Sequence, residues 1–231
     1  MVSEREPDPD RRGLFRAGGV SAVVVAALYV LITGLYVTVG QVPTDVDARL
    51  IYLARHEAAW WAIVWLSIFT DLLYVPVAAA LYAALAQVNR NAMLAGAGLL
   101  ALFVILDLAI TWPAYAVLIS LGGDFAATTS DAQRTALLAT ASYPAAVLDS
   151  SLLGAYIILV PGLGLLVIGL VILRSTFGRS AAYLGVATGI AAIVSVLGPF
   201  LYAPLATVAI LTAVLTLIWF FVVALRLLRL A

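Results

Sequence analysis

The stretch AAWWAIVWLSIFTDLLYVPVAAALYAALA, residues 58–86, decides the fold. It contains one charged residue, Asp71. As a helix rising ~1.5 Å per residue, it is long enough to cross the ~30 Å hydrocarbon core of a bilayer. A helix satisfies its own backbone hydrogen bonds, and hydrocarbon offers it no other partners. The stretch therefore predicts a transmembrane helix with a carboxyl group near its centre.

The composition of the whole chain agrees with this stretch. Of 231 residues, 65% are hydrophobic and 10% are charged, and the mean hydropathy is +1.15. In soluble globular proteins about a quarter of residues are charged. We therefore expect a multi-pass membrane protein.

Six apolar windows are long enough to span a bilayer. The second and third are joined by a short turn at residues 89–91. Between the fifth and sixth, Gly198, Pro199 and Pro204 leave room only for a tight turn, which predicts an antiparallel hairpin. The windows lie at residues 18–40, 58–86, 93–121, 150–173, 181–203 and 205–227.

Two further stretches have the pattern of amphipathic helices at the membrane interface. Residues 41–57 mix charged and apolar side chains, and residues 131–148 are polar at their start and apolar later. We expect Pro144 to end the second stretch before the fourth window. The predicted fold class is an all-α membrane protein, a six-transmembrane-helix bundle with one or two short interfacial helices on the outer side.

The distribution of arginines predicts the orientation of this bundle. Nine of the twelve arginines fall on the side of the N-terminus, and Arg49, Arg55 and Arg134 fall on the other side. The positive-inside rule then places both termini in the cytoplasm. Residues 1–13 are rich in Glu, Asp, Pro and Arg, so we expect a disordered cytoplasmic tail there. Residues 14–231 are predicted to form a single six-helix transmembrane domain.

The residue inventory excludes much of metal and cofactor chemistry. Cysteine is absent, so cysteine-ligated clusters are excluded. Lysine is also absent, so no Schiff base can form. His56 is the only histidine, too few for a three-histidine zinc site. We expect no metal, no cofactor and, at a net charge of +0, no nucleic acid. The expected partners are membrane lipids and a small hydrophobic or cationic ligand; the oligomeric state stays open.

Three aspartates, Asp71, Asp107 and Asp149, lie inside or at the edge of apolar windows. A carboxylate in hydrocarbon costs ~2.5–3.5 kcal/mol even on insertion scales, so it needs a proton, a partner or a polar cavity. We expect no arginine at that depth. Asp71 and Asp107 lie at the middle of two windows joined by a short turn, so we expect their carboxyl groups to approach each other.

The state of these acids leaves alternatives. Two close carboxylates in a low dielectric cannot both be ionised without compensation, so the pair holds protons or binds a cation from outside. In a purely structural interpretation, each acid is protonated, bonds Tyr, Ser or carbonyl groups, and holds helices together. The structural interpretation is favoured for Asp149, with water or Arg134 as its partner.

Helical spacing places polar and aromatic residues beside the acids. Tyr74 follows Asp71 by three positions, and Thr111 follows Asp107 by four. Trp60 and Trp61 fit an aromatic belt at the membrane surface, whereas Trp65 and Trp112 are expected to line a pocket. The candidates for binding a ligand or a proton are Asp71, Asp107, Asp149, Tyr29, Tyr74, Thr111, Trp112 and Tyr115.

Two functions fit these candidates. The first is binding or transport of a hydrophobic or cationic small molecule, or a lipid, at a buried site lined by Asp, Tyr and Trp. The alternative is a membrane-embedded enzyme that uses an intramembrane aspartate as general acid on a lipid or isoprenoid substrate. A structural or assembly role ranks third.

Small residues and prolines inside the windows are interpreted as packing features. Residues 185–189 form a GxxxG pattern, which lets two helix backbones approach closely, and we favour packing within the chain over dimerisation. Pro76, Pro113 and Pro161 are expected to kink their helices and free carbonyl groups.

Two short motifs carry a resemblance to a known family. They are Arg-Ala-Gly-Gly at residues 16–19, which opens the first window, and Leu-Arg-Ser-Thr-Phe-Gly-Arg-Ser-Ala-Ala-Tyr-Leu-Gly at residues 173–185, which enters the fifth. With this order of segments, the chain resembles a family of bacterial six-helix integral membrane proteins catalogued as a domain of unknown function. The resemblance covers nearly the whole chain. It implies an inner-membrane location and supplies no catalytic residues.

Overall fold

A computed structural model describes residues 9–231, and this part of the chain is helical without a strand. The all-α class is therefore confirmed for these residues. The α-helices are α1 (Pro9–Val39), α2 (Val46–Arg55), α3 (Glu57–Leu106), α4 (Trp112–Ala127), α5 (Asp131–Asp149), α6 (Ser151–Gly154), α7 (Val160–Ile172), α8 (Arg179–Leu197) and α9 (Val208–Leu230). The π-helical turns Asp107–Thr111 and Ala155–Leu159 precede α4 and α7, and the 3₁₀ turns Gly198–Phe200 and Ala203–Thr207 lie between α8 and α9.

Within residues 9–231, five helical stretches are long and apolar enough to cross a membrane, as in a multi-pass membrane protein. They are Arg11–Val39, Glu57–Ala127, Ser151–Ile172, Arg179–Phe200 and Ala203–Leu230. The second of them, 71 residues long, is interrupted at Asn89, where the backbone is extended at φ −157° and ψ 96°. Asn89 Oδ1 accepts a hydrogen bond of 3.1 Å from the backbone N–H of Ala92, which caps the helix that follows. The turn predicted at residues 89–91 is confirmed.

Contacts divide the chain into two compact units. Within the described residues, unit one comprises 9–27, Leu72–Phe103 and Ile158–Ala231, and unit two comprises Leu28–Asp71 and Val104–Ile157. Residues 1–8 of the predicted tail lie outside the described residues, and residues 9–13 belong to α1. The single domain predicted for residues 14–231 stays a prediction.

In unit one, α8 and α9 form an antiparallel pair. Near the start of α8, the carbonyl of Ala181 accepts a hydrogen bond of 3.0 Å from Nε1 of Trp219, late in α9. Gly198, just after α8, lies against Leu205, just before α9. These contacts confirm the predicted hairpin.

Glycines allow α7 and α8 to pack with their backbones in contact. A Cβ added to Gly169 would lie 2.8 Å from the nitrogen of Val186 and 2.9 Å from the carbonyl oxygen of Ala182. A Cβ added to Gly185 would lie 3.0 Å from the carbonyl oxygen of Leu165. The GxxxG pattern therefore serves packing within the chain, as expected.

We expect Gly169→Ala to destabilise unit one by ~1–3 kcal/mol, because the added methyl group meets backbone atoms that cannot rotate away. Gly98→Ala is the matched control: this glycine is also helical, and its added Cβ has no atom within 4 Å. In the control the unfolding temperature should stay the same or rise. Thermal unfolding in detergent measures both variants, and an equal loss in the two would contradict the close packing of α7 and α8.

In unit two, α2, α4 and α5 pack around a core that includes Leu50 and Trp60. Asp45 caps α2, since its Oδ1 accepts a hydrogen bond of 3.0 Å from the N–H of Ala48. Gly122 lets α4 approach α2, because a Cβ there would lie 2.8 Å from the carbonyl oxygen of Leu50. The amphipathic segment predicted before the second window is therefore a helix whose apolar face is buried.

The predicted end of the second amphipathic stretch is wrong. α5 continues through Pro144 to Asp149, and the chain turns at Ser150, where ψ is 139°. A proline removes only one helical hydrogen bond, whereas Ser150 offers a replacement cap by accepting a hydrogen bond of 3.2 Å from the N–H of Leu152. For the end of α5, Ser150 was therefore a stronger sequence signal than Pro144.

Candidate functional site

The candidate site lies in unit two, where α3 and the π-helical turn each contribute one aspartate. Asp71 follows Ser67 on the buried face of α3, and Asp107 opens the π-helical turn on a face shared with Thr111. This wider turn ends at Thr111, two residues before Pro113, which has no N–H to donate. π-Helical turns occur often at functional sites. The kink predicted at Pro113 stays a prediction, whereas the π-helical turn begins at Asp107, directly after Leu106.

The two carboxyl groups interact with each other. Asp71 and Asp107 are 3% and 5% exposed, and their side chains are close enough to influence each other electrostatically. On its other side, Asp71 Oδ2 accepts a hydrogen bond of 2.7 Å from Nε1 of Trp112. The two carboxyl groups thus lie near each other, as predicted. Trp112, which was expected to line a pocket, is buried and donates to Asp71.

The hydrogen bonds of this pair are incomplete. Oδ1 of Asp107 and Oγ1 of Thr111 are buried and have no partner at ordinary hydrogen-bond distance and angle, although the Thr111 hydroxyl lies close enough to influence the carboxyl group. Leaving a buried polar atom unbonded costs ~1–3 kcal/mol. Such atoms have free capacity to bind a proton, a water molecule or a ligand.

No positive side chain compensates the pair within the described residues. The one salt bridge in this part of the chain joins Arg49 to Asp149. Two adjacent carboxyl groups in a low dielectric therefore need a proton or an external cation between them. The uncompensated negative charge of two adjacent carboxyl groups distinguishes this site from an ordinary buried polar contact.

Asp149 has a basic partner that the sequence interpretation missed. Nη2 of Arg49 donates to both carboxylate oxygens of Asp149, at 2.7 and 2.9 Å. Arg49 is 4% exposed and also donates to the carbonyl oxygens of Pro43 and Ala145. The expected partner, Arg134, instead lies over the ring of Phe125, 4.4 Å from its centre. The arginine expected beside Asp149 is therefore the wrong one, because Arg49 takes the place predicted for Arg134.

An aromatic cluster lies between the carboxyl pair and this salt bridge. Tyr115 stacks on Trp60 at 5.0 Å and on Trp112 at 6.0 Å between ring centres. Tyr36 meets Trp60 edge-on at 5.6 Å. Tyr115 is within electrostatic range of Asp107 on one side and of Arg49 and Asp149 on the other. We call Tyr36, Trp60, Trp112 and Tyr115 the aromatic cluster.

The tryptophans differ from their predicted places in two cases. Trp60, expected at the membrane surface, is fully buried, and its Nε1 has no hydrogen-bond partner. Trp65, expected to line a pocket, is 64% exposed. The reason is helical spacing: Trp60 shares its face with the buried residues Ile63 and Val64, whereas Trp65 lies on the opposite face with Phe69.

The remaining aromatic candidates, Tyr74 and Tyr29, belong to unit one and unit two respectively. Tyr74 is buried in unit one, where its ring packs against Phe103 at 5.3 Å and Phe220 at 4.7 Å. Tyr29 is half-buried in unit two, and its carbonyl oxygen accepts a hydrogen bond from the hydroxyl of Thr33. The carboxyl pair, Thr111, Trp112 and Tyr115 are thus the candidates that the structure brings together.

The described residues belong to the class of helical membrane proteins, since several helices are able to span a membrane. A buried acidic pair lies among aromatic rings in this fold. Within this class, the chain belongs to the family described as "Domain of unknown function (DUF4386)", whose model matches residues 18–230. The predicted membership in a domain-of-unknown-function family is therefore confirmed. No curated protein and no solved structure matches the chain.

Proposed function

We propose that this protein binds, and in a transport cycle carries, a hydrophobic cation at the Asp71–Asp107 pair. The observation that carries this proposal is the contact of two buried carboxyl groups with no basic side chain beside them in the described residues. A ligand with one positive charge and an apolar body neutralises the negative charge of the pair and does not bring hydration water into the site. Asp71 and Asp107 are the charge-binding groups.

The aromatic cluster fits the same ligand class. Tyrosine and tryptophan rings attract cations through their electron-rich faces and also present apolar surface. Tyr115 stacks against both Trp60 and Trp112, so the rings are held in place before a ligand arrives. In the proposal, Trp112 also fixes the orientation of Asp71 through their hydrogen bond.

The proposed setting is a six-span bundle in the cell (inner) membrane. The interruption at Asn89 supports counting the 71-residue stretch as two crossings, which raises five stretches to six. An even number of crossings puts both termini on one side, and nine of the twelve arginines support the cytoplasm as that side. Asp71 and Asp107 then lie near the bilayer centre, where a bound proton or cation has the largest effect.

Two probes of equal shape and opposite charge test the proposal. Purified full chain in detergent should bind tetraphenylphosphonium at least about tenfold more tightly than tetraphenylborate, because the carboxyl pair attracts the cation and repels the anion. Equilibrium dialysis measures both ligands. Equal affinity for the two ions would mean that only the apolar surface binds, and the proposal would fail.

A further inference from the structure

Unit one contains a cavity whose lining combines apolar side chains with three arginines. Its volume is about 720 Å³, within the range of ~300–1,000 Å³ typical of small-molecule sites. It lies beside the end of α7, the loop that follows, the last turns of α9 and the residues before Asn89. We call it the arginine cavity; the lining residues used below are Gln87, Arg174, Thr176, Arg226 and Arg229.

Three arginines line this cavity and no carboxylate does. Arg174 and Arg229 are exposed, and Arg226 is half-buried. In the described part of the chain, the one salt bridge joins Arg49 and Asp149. None of the three arginines of the cavity therefore forms a salt bridge with a described acid.

Compensation of helix ends does not account for three arginines. A helix C-terminus carries about −0.5 of an elementary charge, and three helical segments end near the cavity. Their sum is about half of the charge that three guanidinium groups bring. A net positive charge therefore remains for an anionic ligand.

The backbone makes room for one of these guanidinium groups. Gly178 has φ +137°, a conformation that favours glycine, and a Cβ there would lie 2.8 Å from Nε and 2.9 Å from Cζ of Arg226. The guanidinium group of Arg226 thus packs against the backbone of Gly178, where any larger residue would place a Cβ in the same space. This contact restricts the orientation of Arg226 in the cavity wall.

We propose that the arginine cavity binds a phosphate group, carried either by an anionic phospholipid or by a soluble phosphate. Guanidinium groups donate paired hydrogen bonds to phosphate oxygens, and they match phosphate better than any other side chain. Thr176 and Gln87 offer further donors at the same wall. Basic pockets between the ends of membrane helices are suited to anionic headgroups.

Native mass spectrometry of the full chain in detergent tests this site, with phosphatidylglycerol and phosphatidylcholine as paired probes. Wild type should prefer phosphatidylglycerol, and R174Q/R229Q should reduce that preference about tenfold, because each arginine near an anionic headgroup contributes several-fold. Both replaced side chains are exposed, so we expect the unfolding temperature to stay unchanged. The matched control is R90Q/R179Q, which removes the same charge from two exposed arginines outside the cavity lining.

The control and a competitor decide the outcome. We expect R90Q/R179Q to change the preference by less than about twofold. Millimolar inorganic phosphate distinguishes the two sources of the group: displacement of the lipid supports a soluble phosphate, and retention of the lipid supports a headgroup. An equal loss of preference in both double variants overturns the proposal. So does a wild type that neither prefers phosphatidylglycerol to phosphatidylcholine nor binds inorganic phosphate.

Discussion

Replacing both Asp71 and Asp107 by asparagine should weaken the binding of tetraphenylphosphonium at least about thirtyfold, which corresponds to ~2 kcal/mol. The reason is that, among the described residues, Asp71 and Asp107 are the buried acids that can attract the ligand. Loss of one partner of a buried charge pair costs ~2–5 kcal/mol. Binding of tetraphenylborate should stay the same or improve, because the repelling charge has been removed. Equilibrium dialysis with both ions measures the change.

The fold should survive this double substitution. An asparagine oxygen at position 71 still accepts the hydrogen bond from Nε1 of Trp112, and the mutual repulsion of two carboxyl groups is relieved. We therefore expect an unchanged or higher unfolding temperature. This stability measurement separates a lost site from a lost fold.

Two exposed aspartates of unit two provide the matched control. Asp124 and Asp131 are both exposed, so D124N/D131N removes the same number of carboxyl groups from the chain without touching the pair. We expect the control to retain wild-type affinity for tetraphenylphosphonium within about twofold, since exposed charges are screened. If both double variants lose affinity equally, net charge rather than the carboxyl pair attracts the cation.

The carboxyl pair could be predicted because its geometry depends on local features. Asp71 and Asp107 lie at the middle of neighbouring windows. The chain turns at Asn89, which caps the second of these helices, so the two windows are adjacent along the chain. Helical spacing then selects the face that is buried, as it does for Ser67 and Thr111. These are short-range rules, and the structure follows them.

The pairing of Arg49 with Asp149 could not be predicted in the same way. The two residues are 100 positions apart, and each lies on an amphipathic helix. The sequence pattern of such a helix does not show which other helix it packs against. Spacing within α2 shows that Arg49 shares the buried face with Leu50 and Leu53, but an arginine is expected at the solvated side. Only the packing of α2 on α5 supplies the carboxylate and the carbonyl groups that make its burial tolerable.

The salt bridge between Arg49 and Asp149 should show an asymmetric cost when each partner is removed. Arg49 is 4% exposed, whereas the side chain of Asp149 is 46% exposed. Asp149→Ala leaves a buried guanidinium group with carbonyl oxygens as its only partners, so we expect a loss of ~3–5 kcal/mol in the free energy of unfolding. Arg49→Met leaves a carboxylate that water can reach and keeps an apolar side chain in the core, so it should cost less, ~1–2 kcal/mol.

The double variant makes this prediction sharper. Once Arg49 is methionine, Asp149 has no buried charge to neutralise, so R49M/D149A should be more stable than D149A alone. Thermal and denaturant unfolding in detergent, followed for all four proteins, gives the coupling energy of the pair. Simple additivity of the two single losses would show that the two side chains contribute independently, and the proposed interdependence would then be incorrect.

Arg134→Met is the control for removing an arginine from the same unit. Its guanidinium group lies over the ring of Phe125 and has no acidic partner in the described structure, so its loss should cost only ~0.5–1 kcal/mol. A large loss in this control would mean that any arginine of α2 or α5 matters for packing. A small loss, together with the rescue of D149A by R49M, assigns the effect to the buried charge of Arg49: what Asp149 contributes is the neutralisation that lets α2 pack against α5.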